Sequence, residues 1–198
     1  MTSPSPWLSA APLETRRLVL RQPTFADVSR IALYAGDLDV ARMLVAVPHP
    51  YSEAHASAFI GDVLAANPAG GSLALAVARL REPHAAIGMI TFTREGAAAT
   101  IGWWFGKPYW GRGFATEAVV AMAGLAFRDP AVSVLKAGAF EDNPASLRVH
   151  EKAGFVRTGT APRTSAARGG TVTQIDMELT RQGYEALSGR SGRSKEAR

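Results

Sequence analysis

Hydrophobic residues fall into short runs along the chain, separated by polar segments or by segments rich in glycine and proline. Apolar or alternating runs of about five to nine residues between such segments are typical of β-strands. The second, third and fourth runs are separated only by turn-like segments, which indicates an antiparallel meander. We predict strands at residues 14–21, 72–80, 85–93, 100–105, 134–140, 155–159 and 171–179.

Other segments carry apolar residues three and four positions apart, the spacing of one face of an α-helix. Ser52 and Asn143 are good N-cap residues for two of these segments, and Gly154 suits the end of the second. Since strands and helices are interleaved, we expect a mixed α/β (α+β) fold. We predict helices at 25–35, 52–64, 115–126 and 144–152, and a short helical piece at 39–47.

The length of 198 residues fits a single domain with tails. Pro4, Pro6 and Pro12 stand among serine and alanine residues, which predicts a flexible lead-in at 1–13. Residues 14–187 are then expected to form the folded domain.

The remaining residues, 188–198, are predicted to be a basic, disordered tail. The net charge of +5 comes from 22 Lys and Arg against 17 Asp and Glu, and much of this surplus lies in the tail. Such a tail more often aids solubility than binds nucleic acid, so we do not expect nucleic acid as a partner. No apolar run approaches the roughly 18 residues of a membrane span, and the N-terminus does not resemble a signal peptide. We therefore expect a cytoplasmic protein without a membrane partner.

The chain contains no cysteine, and its four histidines do not follow a metal-binding spacing. We accordingly expect no disulfide bond, no thiol nucleophile and no metal. The histidines are His49, His55, His84 and His150.

A glycine-rich stretch, residues 109–116, lies between a predicted strand and a predicted helix. Gly111 and Gly113 permit backbone angles that turn successive N–H groups toward one centre. The following helix begins with unpaired N–H groups and the positive end of its dipole, which favours a bound pyrophosphate. The stretch matches neither the P-loop nor the three-glycine dinucleotide motif.

The sequence from Trp110 onward resembles the coenzyme A signature of the GNAT superfamily of N-acyltransferases; it reads Trp-Gly-Arg-Gly-Phe-Ala-Thr-Glu-Ala. It is most similar to the RimJ/RimL branch, in which Trp110 replaces the usual Gln or Arg. A second block is similar to the superfamily pattern NxxSxxxxxKxGF in full. Its residues are Asn143, Ser146, Lys152, Gly154 and Phe155.

This resemblance implies a GNAT-type, mostly antiparallel twisted sheet of about six or seven strands flanked by helices. It also implies acetyl-CoA as co-substrate, with the pantetheine arm lying along the strand at 100–105. One main-chain N–H of this strand, at Trp104 or Phe105, is expected to contact the acyl oxygen. The cofactor-binding residues implied in this way are Trp104, Phe105, Trp110, Gly111, Arg112, Gly113, Phe114, Ala115, Thr116, Asn143 and Ser146.

Candidate catalytic residues are Ser146, His150 and Glu141. Ser146 could donate a hydrogen bond to the coenzyme sulfur, and His150 stands where many members of the superfamily have a tyrosine acid. The alternative for His150 is a partly buried helix residue with a satisfied ring. For the general base, Glu141 competes with Asp142, Glu95 and a water chain, because the strand at 100–105 has no carboxylate.

These observations predict an N-acetyltransferase whose acceptor is a primary amine, either a protein N-terminus or a small molecule, that attacks acetyl-CoA directly. One alternative is a catalytically weak or inactive acyl-CoA-binding module with a regulatory role. Another is an interaction protein that uses the fold as a scaffold for its basic tail. The sequence leaves a homodimer open.

Overall fold

The computed structural model describes residues 7 and 10–193, with the side chains of 188–193 excepted. Its strands form one eight-stranded sheet in the order β1-β2-β3-β4-β5-β6-β8-β7. All neighbouring strands are antiparallel except β5 and β6, which are parallel. The strands are β1 Leu13–Glu14, β2 Leu18–Arg21, β3 Ser72–Arg79, β4 Glu82–Glu95, β5 Ala98–Phe105, β6 Val134–Phe140, β7 Val156–Ser165 and β8 Gly170–Thr180.

Five of the six helices lie where apolar periodicity predicts them, with shifts at their ends, and the last helix, at 181–193, was not predicted. Ser52 Oγ accepts a hydrogen bond from the N–H of His55, and Asn143 Oδ1 accepts one from the N–H of Ser146. Both predicted N-caps are therefore present. The helices are α1 Val28–Ala35, α2 Leu38–Ala41, α3 Glu53–Ala66, α4 Phe114–Ala126, α5 Pro144–Lys152 and α6 Arg181–Arg193. A 3₁₀ turn precedes α1 at Phe25–Asp27, and another, Lys107–Tyr109, leads into the glycine-rich stretch.

The expected mixed, mostly antiparallel sheet is confirmed, but the strand count of six or seven is wrong. The predicted strand at 14–21 is two strands, because the chain turns at Thr15, whose N–H donates to the carbonyl of Leu18 at 2.9 Å. The residues expected to form a polar loop near 160–170 mostly continue β7 and β8. The predicted strand at 155–159 is only the first part of β7, because nearly all of β7 is exposed and its later residues carry no apolar pattern.

Both ends of the described chain are more ordered than the sequence predicts. Within the expected flexible lead-in, Trp7 is 2% exposed, and its ring meets that of Phe92 edge-on with the ring centroids 4.7 Å apart. At the other end, α6 runs to Arg193 and crosses the predicted start of the tail at residue 188. The ring of Tyr184 lies 5.2 Å from that of Phe127, which packs this helix against the domain. The last part of the predicted tail, 194–198, lies outside the described residues.

Helices cover the two faces of the sheet unequally. On one face, α1 and α3 pack over β3 and β4 and against Trp104 of β5. On the other face, α4, α5 and α6 pack over the sheet and bury the larger apolar cluster.

Between the parallel strands β5 and β6 the sheet opens. The two strands pair only where Ala98, Ala99 and Thr100 lie beside Val134, Leu135 and Lys136. Beyond these residues they diverge, so their remaining facing edges have no strand partner. We call this wedge the β5–β6 gap. The glycine-rich stretch and α5 both begin at its open end.

A buried ion pair holds the start of α1. Asp27 is fully buried and accepts hydrogen bonds from two nitrogens of Arg21, at 2.8 and 2.7 Å, and from the N–H of Thr24 at 2.9 Å. Burial opposes ionisation, but the bonds from Arg21 and Thr24 outweigh it and hold the pKa of Asp27 below its usual value.

We expect Asp27→Asn to lower the free energy of unfolding at pH 7 by about 3 kcal/mol, because Arg21 loses its buried partner. The folded pKa is depressed, so the carboxylate stabilises the fold above the unfolded pKa of about 4 and loses this effect as the pH falls. Chemical denaturation at pH 7 and pH 3.5 measures both effects. The exposed Asp62→Asn on α3 is the control, and equal stabilities of the two variants would contradict the assignment.

Candidate active site

The glycine-rich stretch forms an exposed loop whose N–H groups are free. Gly111 and Gly113 have φ angles of +71° and +75°, in the left-handed region that favours glycine. Within the described part of the chain, the six N–H groups of residues 111–116 donate no hydrogen bond. Helix α4 starts at Phe114, so its dipole adds positive potential at the same place. The loop can therefore bind an anion such as a pyrophosphate.

The segment that enters the loop is held by backbone hydrogen bonds of its 3₁₀ turn and by side chains. Trp110 Nε1 donates to the carbonyl of Phe105 at 2.6 Å. The hydroxyl of Tyr109 lies 3.2 Å from that of Tyr34 on α1. Lys107 pairs with Asp39 at 2.5 Å.

The segment that leaves the loop is anchored to the start of β2 through Glu117. Its carboxylate accepts hydrogen bonds from the hydroxyl of Thr15 at 2.6 Å, and from the N–H and Nε of Arg17 at 2.8 and 2.7 Å. Arg17 also donates to the carbonyl of Arg112 at 3.0 Å and lies over the ring of Phe114. Burial is outweighed by these bonds, which lower the pKa of Glu117. Glu117 thus has a structural role, and Arg17 had no sequence signal that linked it to the loop.

A groove of about 620 Å³ runs from the loop along α4. Thr15, Arg16 and Arg17 line one side, the first turns of α4 form its floor, and Lys152 closes the other side. Its basic side chains extend the positive potential of the loop.

The register of β5 decides which of its main-chain groups face the β5–β6 gap. The N–H of Gly106 donates to the carbonyl of Ile87 in β4, and the carbonyl of Ala97 accepts from Ser133 on the β6 side. Because main-chain groups alternate in direction along a strand, Trp103 and Phe105 face the gap and Trp104 faces β4. The predicted N–H contact therefore remains available for Phe105 but is wrong for Trp104. Trp103, which the sequence analysis did not single out, takes its place.

Helix α5 borders the gap with Asn143, Ser146 and His150, which stand at helical spacing on one side of the helix. Asn143 caps the helix, and the hydroxyl of the half-buried Ser146 makes no hydrogen bond to another described residue. His150 is 1% exposed, and its ring lies 4.5 Å from that of Trp103 and 5.5 Å from that of Phe155.

Neither ring nitrogen of His150 has a hydrogen-bond partner among the described residues. Burial lowers the pKa of His150 to about 4, although the backbone of Ser146 and the charge of Glu151 oppose the shift. His150 therefore does not carry the proton of a general acid at neutral pH. The imidazole is neutral at pH 7 and still has an N–H to donate.

Three carboxylates were considered as the base, and the structure separates them. Glu95 pairs with Ala98 at the closed end of the gap, away from the loop. Asp142 accepts two hydrogen bonds from Arg168, at 2.8 and 3.0 Å, and these bonds lower its pKa. Glu141 follows β6 at the open end and is exposed.

Two further searches cover the part of the chain that the structure describes. No helix there is both long and apolar enough to cross a membrane. No three acidic or histidine side chains come together there as ligands for a metal ion.

An open strand pair, a loop of free N–H groups and an unpartnered imidazole agree with the family that the sequence resembles. The family profile described as "Acetyltransferase (GNAT) domain" matches residues 17–156. The chain belongs to the GNAT acetyltransferase family. This match spans the loop, β5, β6 and α5.

Two relatives from bacilli are similar to the chain in sequence. The uncharacterized N-acetyltransferase p20 of Bacillus licheniformis is 23% identical over 173 residues, which cover 87% of this chain and 97% of p20. The uncharacterized N-acetyltransferase YokL of Bacillus subtilis, of SPbeta prophage origin, is 29% identical over 106 residues, which cover 52% of this chain and 60% of YokL.

Solved structures show the same fold. RimJ of Mycobacterium smegmatis, in complex with CoA-disulfide, has a TM-score of 0.74 and 17% identity, over 88% of this chain and 89% of RimJ. The microcin C7 self-immunity acetyltransferase MccE, in complex with acetyl-CoA and AMP, has a TM-score of 0.74 and 16% identity, over 84% of this chain and 93% of that chain.

GNAT acetyltransferases use acetyl-CoA, and this chain has places that fit it. The free N–H groups at 111–116 suit its diphosphate, and the unpaired edge of β5 suits the amides of its pantetheine arm. The buried, unpartnered ring of His150 indicates that a polar group completes the gap.

We expect Glu117→Gln to weaken acetyl-CoA binding about tenfold, or roughly 1.4 kcal/mol, because the loop loses its charged anchor to Arg17. Isothermal titration calorimetry measures the dissociation constant. The matched control is Glu151→Gln, which removes an exposed ion pair with Arg157 and should leave binding unchanged. Wild-type affinity in Glu117→Gln would show that the loop keeps its conformation without this anchor.

Proposed function

We propose that the protein transfers an acetyl group from acetyl-CoA to a primary amine, which attacks the thioester directly in a ternary complex. The observation that carries this proposal is the run of free N–H groups at 111–116 beside an open edge of the sheet. A glycine turn that served only the fold would not need to keep these donors exposed and unpaired. Family membership supports acetyl transfer as the reaction class.

In this proposal the diphosphate lies on the loop, and the basic groove beside α4 receives the nucleotide end. The pantetheine arm enters the β5–β6 gap and pairs with the main-chain groups of Trp103 and Phe105, as an added strand would. The carbonyl of Phe105 already accepts from Trp110, so its N–H is the group left for the acyl oxygen. Such a donor stabilises the negative charge that develops on this oxygen.

The departing sulfur comes to the side of the gap that α5 borders. Ser146 has an unengaged hydroxyl there, and His150 has an N–H without a partner. A neutral imidazole is a poor proton donor, so we assign both residues to hydrogen bonding of the leaving thiolate. The reference pKa of a thiol is about 8.5, so such bonds suffice for a moderately good leaving group.

The acceptor is a protein N-terminus or a small amine. An α-amine has a reference pKa near 8, so about a tenth of it is neutral at pH 7, whereas far less of a lysine amine is. An acceptor with an α-amine therefore needs the least help from a base such as Glu141. A cytoplasmic location and a homodimer remain predictions.

A panel of amines tests the function directly. Purified protein is mixed with acetyl-CoA and, in turn, peptides that begin with Ser, Ala or Met, acetylated peptides that contain lysine, and spermidine. Release of free coenzyme A and mass gain of the amine measure transfer. Acetyl-CoA binding without transfer to any amine would favour the binding-module alternative, and absence of binding would reject both.

We expect Gly113→Asp to raise the dissociation constant of acetyl-CoA more than a hundredfold, because a carboxylate in the loop repels the diphosphate. The left-handed φ adds a conformational cost of about 1 kcal/mol, which an exposed loop tolerates without unfolding. Calorimetry and thermal melting measure the two effects.

The control for this variant is Gly96→Asp. Gly96 has a φ of +65° and open space around it, in the turn between β4 and β5 at the other end of the sheet. It carries the same backbone cost and added charge but should bind acetyl-CoA normally. Equal affinity of the two variants would refute the loop as the diphosphate site.

We expect His150→Phe to lower kcat about tenfold, which corresponds to the loss of one hydrogen bond, and to leave acetyl-CoA affinity unchanged. The variant should melt no lower than the wild type, since an apolar ring replaces a buried ring without partners. Steady-state kinetics, calorimetry and thermal melting measure these quantities. Turnover equal to the wild type would reduce His150 to a packing residue.

A further inference from the structure

The part of the sheet formed by β6, β8 and β7 has one face that α1 and α3 do not reach. Along β8, Met177 and Leu179 point into the core beneath α4, α5 and α6. Because side chains alternate along a strand, Gln174 and Asp176 lie on the opposite face. Of the described helices, those on that side pack over β3, β4 and Trp104, so this face stays partly open.

Asp176 lies in a trough on this face. Its neighbour in β6 is Gly138 and its neighbour in β7 is Gly159, so neither adjacent strand places a side chain beside the carboxylate. The residue is half-buried. A ligand of small cross-section could therefore reach the carboxylate from the open face.

One oxygen of Asp176 is held in place and the other is free. Gln174 Nε2 donates to Oδ1 at 2.6 Å. The Gln174 side chain lies flat over Gly138, where an added Cβ would be 2.3 Å from Nε2. No described residue forms a hydrogen bond with Oδ2, and no described cation lies within 4.0 Å of the carboxylate.

This lack of a cation distinguishes Asp176 from Asp142, which is bound by Arg168. Glu178 forms no ion pair with a described residue either, but it lies directly opposite Lys136 in β6. A half-buried carboxylate without a cation is costly, because burial weakens the hydration of its charge. The negative charge of Asp176 is thus available for a cationic ligand.

The trough adjoins the β5–β6 gap. Gly138 belongs to the stretch of β6 that has no partner in β5, and adjacent strands lie about 5 Å apart. Asp176 is therefore one strand away from the edge of the gap. It is also on the opposite face of the sheet from α5 and His150, so an acceptor from this side would not meet the leaving sulfur.

We propose that Asp176, oriented by Gln174, binds the ammonium group of the acceptor amine and brings it to the gap. This inference rests on the proposed acetyl transfer and adds to it the charge of the acceptor: a primary amine that is cationic at neutral pH. The open space at Gly159 admits the ligand, Gly138 accommodates the Gln174 side chain, and the unpaired carboxylate provides the affinity.

The test is Asp176→Asn, which keeps the shape of the side chain and an oxygen for Gln174. Acetyl transfer is measured at pH 7.5 to spermidine, to a peptide with an N-terminal Ser, and to hydroxylamine, which is uncharged at this pH. We expect the variant to raise KM at least tenfold for the cationic amines that the wild type acetylates. The KM for hydroxylamine, the acetyl-CoA dissociation constant and the melting temperature should stay unchanged.

Glu178→Gln, on the same face of the same strand, is the matched control and should have wild-type KM values. A wild-type KM in Asp176→Asn for the cationic amines would overturn this inference and leave the proposed function intact. So would an equal loss with hydroxylamine or a lower melting temperature, since either means a structural role. If the wild-type protein acetylates none of the amines, the proposed function fails, and this inference fails with it.

Discussion

The architecture of the site depends on the β5–β6 gap, where two neighbouring parallel strands stop pairing. Their pairing stops after Thr100 and Lys136, although both strands continue for four or five residues more. Unpaired strand edges are costly in a protein interior unless water or a ligand satisfies them. The divergence therefore creates the β5–β6 gap, which is bordered by unpaired main-chain donors and acceptors. The residues assigned to coenzyme binding and to the leaving sulfur lie at this gap or at the loop beside its open end.

The glycine-rich loop is held in place by contacts with other segments. The middle of the loop has no internal hydrogen bonds, but Trp110 fixes it to the end of β5 and Glu117 fixes it to the start of β2. Charge-assisted bonds such as those of Glu117 are stronger than neutral ones. The free N–H groups are thus oriented before a ligand arrives, so binding does not need to order them. The Glu117 anchor connects the loop to a segment that lies 100 residues away in sequence.

Local patterns predicted much of this structure because their causes are local. Apolar periodicity placed five of the six helices, Asn143 was recognisable as a cap, and Gly111 and Gly113 marked a turn with left-handed residues. Several features that the sequence did not predict depend on pairing between distant segments. The direction of Trp104 follows from strand register, the role of Arg17 from its contact with Glu117, and the exposed second half of β7 from its pairing with β8. The lowered pKa of His150 likewise requires the burial that Trp103 and Phe155 produce.

The two faces of the sheet at the β5–β6 gap differ in electrostatic character, and this difference suits the proposed acetyl transfer. On the α5 side, His150 is buried and neutral among aromatic rings, an environment that disfavours a bound cation but can hydrogen-bond sulfur. On the other side, Asp176 carries a negative charge that no described cation balances. An amine and a thioester that approach from opposite faces would each meet the environment that matches its charge. The sheet would then separate the two reactants. Among the described strands, the β5–β6 gap would be the only opening through which the amine could reach the thioester.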